Sequence, residues 1–242
     1  MYKILKHLIS PQSVAKAVTN PRRAYRVLKY DRHETNNPHK KMERLQGEFD
    51  ERAWTSSLSG LLELNDQNLE PYIEEFESEV RPHVESCRER FRKKPFLMGG
   101  IEVEAPILYS ALRVISPDNV VEVGVANGVS SYYILSALEQ NANGNLISVD
   151  IPKYESEHTG EWDDNAGAWI PKEEDVGWIV PNELKSNWDL HIGDMNDKIP
   201  EIIENRRNID VFVYDGPKSY KMRKEALSHV FEMGERSFLF CD

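Results

Sequence analysis

The sequence predicts an α/β fold in which a parallel sheet, covered by helices on both faces, follows a helical N-terminal region. Three observations carry that expectation. Beyond residue 119, short runs rich in β-branched and aromatic residues alternate with helical stretches, a pattern that calls for βαβ crossovers. Upstream, apolar side chains recur every three or four residues, the period of a helix with one buried stripe. The later β-rich runs each lead into an aspartate.

Residues 1 to 33 set Ile4, Leu5, Leu8, Ile9, Val14, Val18, Tyr25 and Leu28 among lysines and arginines. Pro11 and Pro21 follow the cap candidates Ser10 and Asn20, so two or three short basic amphipathic helices are expected. The polar stretch His33 to Lys41 reads as a linker. From Asp66 to Lys94 the stripe Leu69, Ile73, Phe76, Val80, Val84, Cys87, Phe91 predicts a long helix bent at Pro82. A second stripe, Val103 to Ile115, ends at Ser116-Pro117.

The strands are expected at 120–125, 146–150, 188–192, 209–214 and 237–241, with helices at 129–140, 196–207 and 219–233 between them. One connection, Ile151 to Asn187, is far longer than an ordinary crossover. Trp162, Trp169, Trp178 and Trp188 lie in it or just after it, a content that disfavours disorder, and part of it is read as a lid or substrate wall rather than a purely structural insertion. The two parts of the chain are thereby 1–95, helical with a basic arm, and 96–242, the sheet domain.

Composition narrows the function. With 40% hydrophobic residues in 242 the chain has material for a core, and two cysteines exclude a disulfide framework, which points to a reducing compartment. No apolar run approaches the roughly 20 residues of a membrane span, and the first residues lack a signal peptide's apolar stretch. A cytoplasmic protein is expected. The net charge of −11 hides an asymmetry: residues 1–47 carry +8, leaving −19 for the rest. An acidic body argues against a nucleic-acid surface, whereas the basic arm suits peripheral contact with an anionic membrane face or an acidic partner, or simply a solvated helical face.

The residues with chemistry begin where the first strand runs into Glu122-Val-Gly124-Val-Ala126-Asn127-Gly128-Val-Ser130-Ser131. Gly124 and Gly128 permit a tight turn and close approach of a ligand, and a helix start attracts negative charge. The spacing is G-x-x-x-G, so the dinucleotide pattern G-x-G-x-x-G is not matched. Asp150, Asp194, Asp215 and Asp242 follow the later strands, and ligands of open α/β sheets bind outside the carboxyl ends of the strands. Asp150 is placed to accept the two hydroxyls of a ribose and Asp194 to accept from an adenine amino group; for each acid the alternative is a helix cap or turn.

From about residue 96 onward the chain resembles the class I S-adenosylmethionine-dependent methyltransferases, whose fold is Rossmann-like. The resemblance rests on VVEVGVANGVSS, ISVD, GWIVPNELKSNWDLHIGDM and IDVFVYDGPKSY, in that order. It implies that Glu122, Gly124, Ala126, Asn127, Gly128, Ser130, Asp150, Asp194, Met195 and Asp215 bind the cofactor, with Asp194 and Met195 flanking the adenine. DGPKSY is also similar to the catalytic-strand motif of small-molecule O-methyltransferases of the catechol and caffeoyl-CoA type. That similarity implies Asp215 and Lys218 as catalytic residues, Asp215 and Asp242 as ligands of a divalent metal such as Mg²⁺, and a hydroxyl of a small molecule or glycan as the methyl acceptor.

Other related methyltransferases read D-S-x-H-S-Y where this chain has Lys218, which leaves metal use open. The family continues past the position of Asp242 with another helix and two strands, so the sequence is expected to be a fragment. A homodimer is a further expectation, with the N-terminal helices covering the substrate side or mediating association. The rivals are a short dehydrogenase, whose glycine pattern is not matched here, and a non-catalytic membrane-associated or partner-binding module on the same fold.

Overall fold

The computed structural model describes residues 69–92, 105–157, 168–172, 174–205, 208–216, 219–232 and 238–241. The chain divides between Glu51 and Arg52, and every described residue belongs to the second part. The expected basic helices and linker, Trp162, Lys218 and Asp242 lie outside the described residues.

The described chain opens with α1 (Glu70–Glu75), a π-helical turn (Phe76–Val80) and α2 (Arg81–Arg90), three pieces of the one long helix expected from the apolar stripe. The irregularity precedes Pro82. Proline offers no N–H to the carbonyl four residues back, which here is that of Ser78, and its ring crowds that carbonyl, so the ladder widens in the turn before it. Phe76, Val80, Val84 and Cys87 form the buried stripe, and α3 (Ala105–Ile115) lies under it, with every residue from Ala105 to Leu112 buried. Phe76 meets the rings of Tyr109 and Tyr133 at centroid distances of 5.5 and 5.0 Å. Glu75 accepts from Tyr109 and from Arg113 and ties α1 to α3.

Strands β1 (Asn119–Val123), β2 (Asn145–Asp150), β3 (Trp188–Ile192), β4 (Val211–Tyr214) and β5 (Phe238–Cys241) form one parallel sheet in the order β3-β2-β1-β4-β5. Helices α4 (Val129–Asn141), α5 (Met195–Asn205) and α6 (Tyr220–Glu232) make the crossovers. Alternate residues of the strands serve opposite faces. Val120, Leu146, Val211 and Val213 join the core under the π-helical turn and α2 to α4; Val121, Val123, Ile147, Val149, Phe212 and Tyr214 join the core under α5 and α6. Both faces are thus covered, as the near-continuous apolar strands require.

The strand order reverses between β1 and β4, and that switch point opens a crevice at the carboxyl rim. Val123 is in register with both Tyr214 and Val149, so Gly124, Asp215 and Asp150 emerge side by side. The fold is the expected Rossmann-like α/β domain with helices preceding the sheet.

Candidate functional site

The rim is built around the loop from β1 to α4. Gly124, at φ +94°, holds a conformation that disfavours a side chain, and a Cβ there would overlap the Asp215 carbonyl oxygen. Its bareness lets the loop close on the end of β4. Gly128, at φ +89°, opens α4, and a Cβ there would lie 2.7 Å from Gly177 Cα. Both glycines were expected to permit a tight turn, and each admits a neighbouring backbone.

Asp150 ends β2, and its two carboxylate oxygens accept the N–H groups of Val125 (3.2 Å) and Ala126 (3.3 Å). Partial burial pushes its pKa up, and the backbone N–H groups of Val125, Ala126 and Ile151 oppose that rise. An ionised carboxylate has about four acceptor positions, so these three N–H groups leave part of its capacity for another donor. Asp194 caps α5: its Oδ1 accepts the Asn196 N–H at 2.8 Å and its carbonyl accepts from Asp197 and Lys198. Met195 is 4% exposed and joins the core with Val149 and Ile199 beneath the rim. Asp215 donates its backbone N–H to Val123 at 2.9 Å.

Glu122 is fully buried on the α4 face of β1. Its carboxylate accepts three serine hydroxyls, Ser130, Ser131 and Ser148, each at 2.6 Å. Burial dominates and pushes its pKa up to about 7 against the opposing effect of the serines, with the charge of Asp215 adding to the rise. Trp188 Nε1 donates to Ser148 at 2.9 Å and extends the network to β3. Glu122 and Ser130 therefore fix the start of α4 from below. The roles of Ser131 and Ser148 were not legible in advance, because pairing across the sheet brings Ser148 opposite Glu122.

Asn127 is 1% exposed and is held by the long β2–β3 connection. Trp178 Nε1 donates to Asn127 Oδ1 at 2.7 Å, and Asn127 Nδ2 donates to the Trp169 carbonyl at 3.3 Å. The Gly177 and Ile179 N–H groups donate to the carbonyls of Ala126 (2.8 Å) and Asn127 (3.1 Å). The described part of this connection contains two short 3₁₀ turns, Glu155–Glu157 and Asn182–Asn187, and an isolated bridge between Tyr154 and Ile170.

Of the residues expected at the site, Gly124, Ala126, Asn127, Asp150, Asp194 and Asp215 are brought to the rim, with Gly128 beginning α4 behind it. Lys218 and Asp242 lie outside the described residues. Among the described residues no group of three or more His, Cys, Asp or Glu side chains is placed to hold a metal ion. No helix among them is long and apolar enough to cross a membrane.

Residues 121–241 match the family described as "Methyltransferase domain". The chain belongs to that family. No curated protein matches the chain. Similar solved structures include a methyltransferase of Podospora anserina bound to SAH, with 12% identity, TM-score 0.43, and coverage of 80% of this chain and 70% of that one. An O-methyltransferase of Bacillus cereus in complex with SAH has 14% identity, TM-score 0.43, and coverage of 64% of each chain. An O-methyltransferase of Streptomyces achromogenes involved in tomaymycin synthesis, in complex with SAM, has 12% identity, TM-score 0.44, and coverage of 77% of this chain and 70% of that one.

Proposed function

We propose that this chain is an S-adenosylmethionine-dependent methyltransferase that transfers the methyl group to a hydroxyl of a small molecule or glycan unit. The observation that carries the reading is the Asp150 carboxylate, tied to the β1–α4 loop by Val125 and Ala126 N–H groups beside the sheet's switch point, in a chain of the methyltransferase family. With acceptor capacity left beyond its backbone partners, the Asp150 carboxylate suits a hydroxyl donor such as that of a ribose. Asp194 and the turn after Gly193 border the adjoining rim, and Asp215 faces it from β4.

The donor, when bound, supplies an electrophilic methyl group on a sulfonium. The protein's part is to align the attacking oxygen with that carbon and to exclude competing geometries. In the reaction the S–C bond breaks as the O–C bond forms, and the acceptor proton must leave. Lys218 is proposed to take or stabilise that proton, with Asp215 holding the acceptor hydroxyl by hydrogen bonding. No step is routed through a metal, since Asp242, the second ligand expected beside Asp215, lies outside the described residues.

Photocrosslinking of radiolabelled S-adenosylmethionine to the full chain tests the reading. Labelling that is competed by S-adenosylhomocysteine and lost in Asp150→Ala supports it; undiminished labelling of Asp150→Ala shows that the ribose site is elsewhere.

A further inference from the structure

The described part of the β2–β3 connection is tied to the β1–α4 loop. Residues 174–180 run as a strap from the outer surface to the cofactor loop, and polar contacts join the two at Asn127. The Asn127 side chain is bonded at both ends, by Trp178 Nε1 and to the Trp169 carbonyl, and its main-chain carbonyl accepts from Ile179. A glycine-on-glycine contact, Gly128 on Gly177, brings the two backbones together. Behind Gly177 stands the ring of Trp188, which is itself bonded to Ser148 in the Glu122 network.

The other end of the strap is held by α2. Arg90 forms an ion pair with Glu174 at 2.7 Å and lies 4.9 Å from the centroid of the Trp178 ring; Phe91 meets the same ring edge-on at 5.6 Å. His83 Nε2 is 2.8 Å from the Ile179 carbonyl. The helix that precedes the sheet thus grips the strap at two places, and the strap grips the loop. Trp178 stands between them, with its ring against α2 and its N–H on Asn127.

We propose that Trp178 is a positioning residue that transmits the placement of α2 to the cofactor loop, so that the loop is held ready for its ligand before the ligand arrives. The inference deepens the methyltransferase reading and rests on it for the identity of that ligand. Its physical content is preorganisation: a loop already ordered loses less freedom on binding.

The test uses the full chain in three forms, wild type, Trp178→Phe and Arg90→Ala. Phenylalanine keeps an aromatic ring for Arg90 and Phe91 and removes the N–H; Arg90→Ala releases the strap at an exposed surface. Hydrogen exchange of the unliganded protein is read at residues 124–131, with β2 and β4 as internal references, and S-adenosylhomocysteine is titrated into each form. Both variants are expected to speed exchange at 124–131 while β2 and β4 exchange as in the wild type. Trp178→Phe is expected to weaken S-adenosylhomocysteine binding about fivefold, as the loss of one hydrogen bond predicts.

Unchanged exchange at 124–131 in Trp178→Phe overturns the proposal. So does faster exchange confined to the strap in Arg90→Ala, which would break the link to α2. A wild type that binds no S-adenosylhomocysteine overturns the methyltransferase reading instead, and the exchange data still decide whether the strap orders the loop.

Discussion

Glu122→Gln isolates the buried carboxyl that anchors the start of α4. The carboxyl lies at 0% exposure with three serine hydroxyls around it, and its pKa rises from the ordinary 4.5 to about 7. Below pH 4.5 the folded and unfolded chains both carry the proton. Between 4.5 and about 7 the folded chain keeps a proton that the unfolded chain has released, so stability falls as pH rises, and the loss is complete above about 7. At about 1.4 kcal/mol per pH unit the loss comes to about 3 kcal/mol. Glutamine cannot ionise, and the serine hydroxyls can turn to accept from its amide. The assay is urea unfolding followed by tryptophan fluorescence, at pH values spanning both ends of that window, for wild type and Glu122→Gln. The stability of the wild type relative to the variant should fall by about 3 kcal/mol across the window. Parallel pH profiles for the two proteins would refute the reasoning, whatever the variant's absolute stability.

Gly177→Ala should destabilise the chain by about 2–4 kcal/mol, through left-handed strain and overlap with the Trp188 ring, as read by thermal or urea unfolding. Ser148→Ala should cost about 1–3 kcal/mol, because it strands Trp188 Nε1 and removes one donor from Glu122; it should also raise the Glu122 pKa further and shift the pH window upward. Asn196→Ala should cost about 1–3 kcal/mol, since the Asp194 cap is made to the backbone and survives the change while the buried His229 loses its contact with Asn196 Oδ1 and Glu225 loses a donor. If the basic arm binds anionic surfaces, as its +8 charge over residues 1–47 leads us to propose, the full chain should sediment with phosphatidylserine vesicles at low salt and be released by added salt. Sedimentation unaffected by salt, or none at all, would count against that role.

Much of the fold was legible because its signals are local. The apolar stripe from Leu69 to Cys87 and the β-branched runs such as VVEV and VFVY follow the periods of a helix and of buried strands, and these elements form where expected. An irregularity near Pro82 was legible to within a turn, since a proline disturbs the carbonyl behind it and the π-helical turn therefore comes first. The carboxyl-end aspartates were legible from their order along the chain, because every strand of a parallel sheet delivers its C-terminal end to the same rim.

What escaped notice depends on contacts between distant residues. The glycines of the β1–α4 loop suggested a tight turn, but the neighbour packed on Gly128 is Gly177, nearly fifty residues away, and no local pattern announces it. Met195 was expected beside the adenine, and its burial among Val149 and Ile199 at the first turn of α5 is a contact that no local pattern announces. The clustering of tryptophans after residue 151 was the one sequence signal for the strap. It marked the segment as ordered without identifying Asn127 as the residue it holds.

The central claim is that the rim formed by the β1–α4 loop, Asp150 and Asp215 binds S-adenosylmethionine. Calorimetric titration of S-adenosylmethionine, S-adenosylhomocysteine and, as a control, NADH into the purified chain tests it most directly. Micromolar binding of the first two with no heat from NADH is the predicted result; a folded chain that binds neither, or that prefers NADH, would contradict the account.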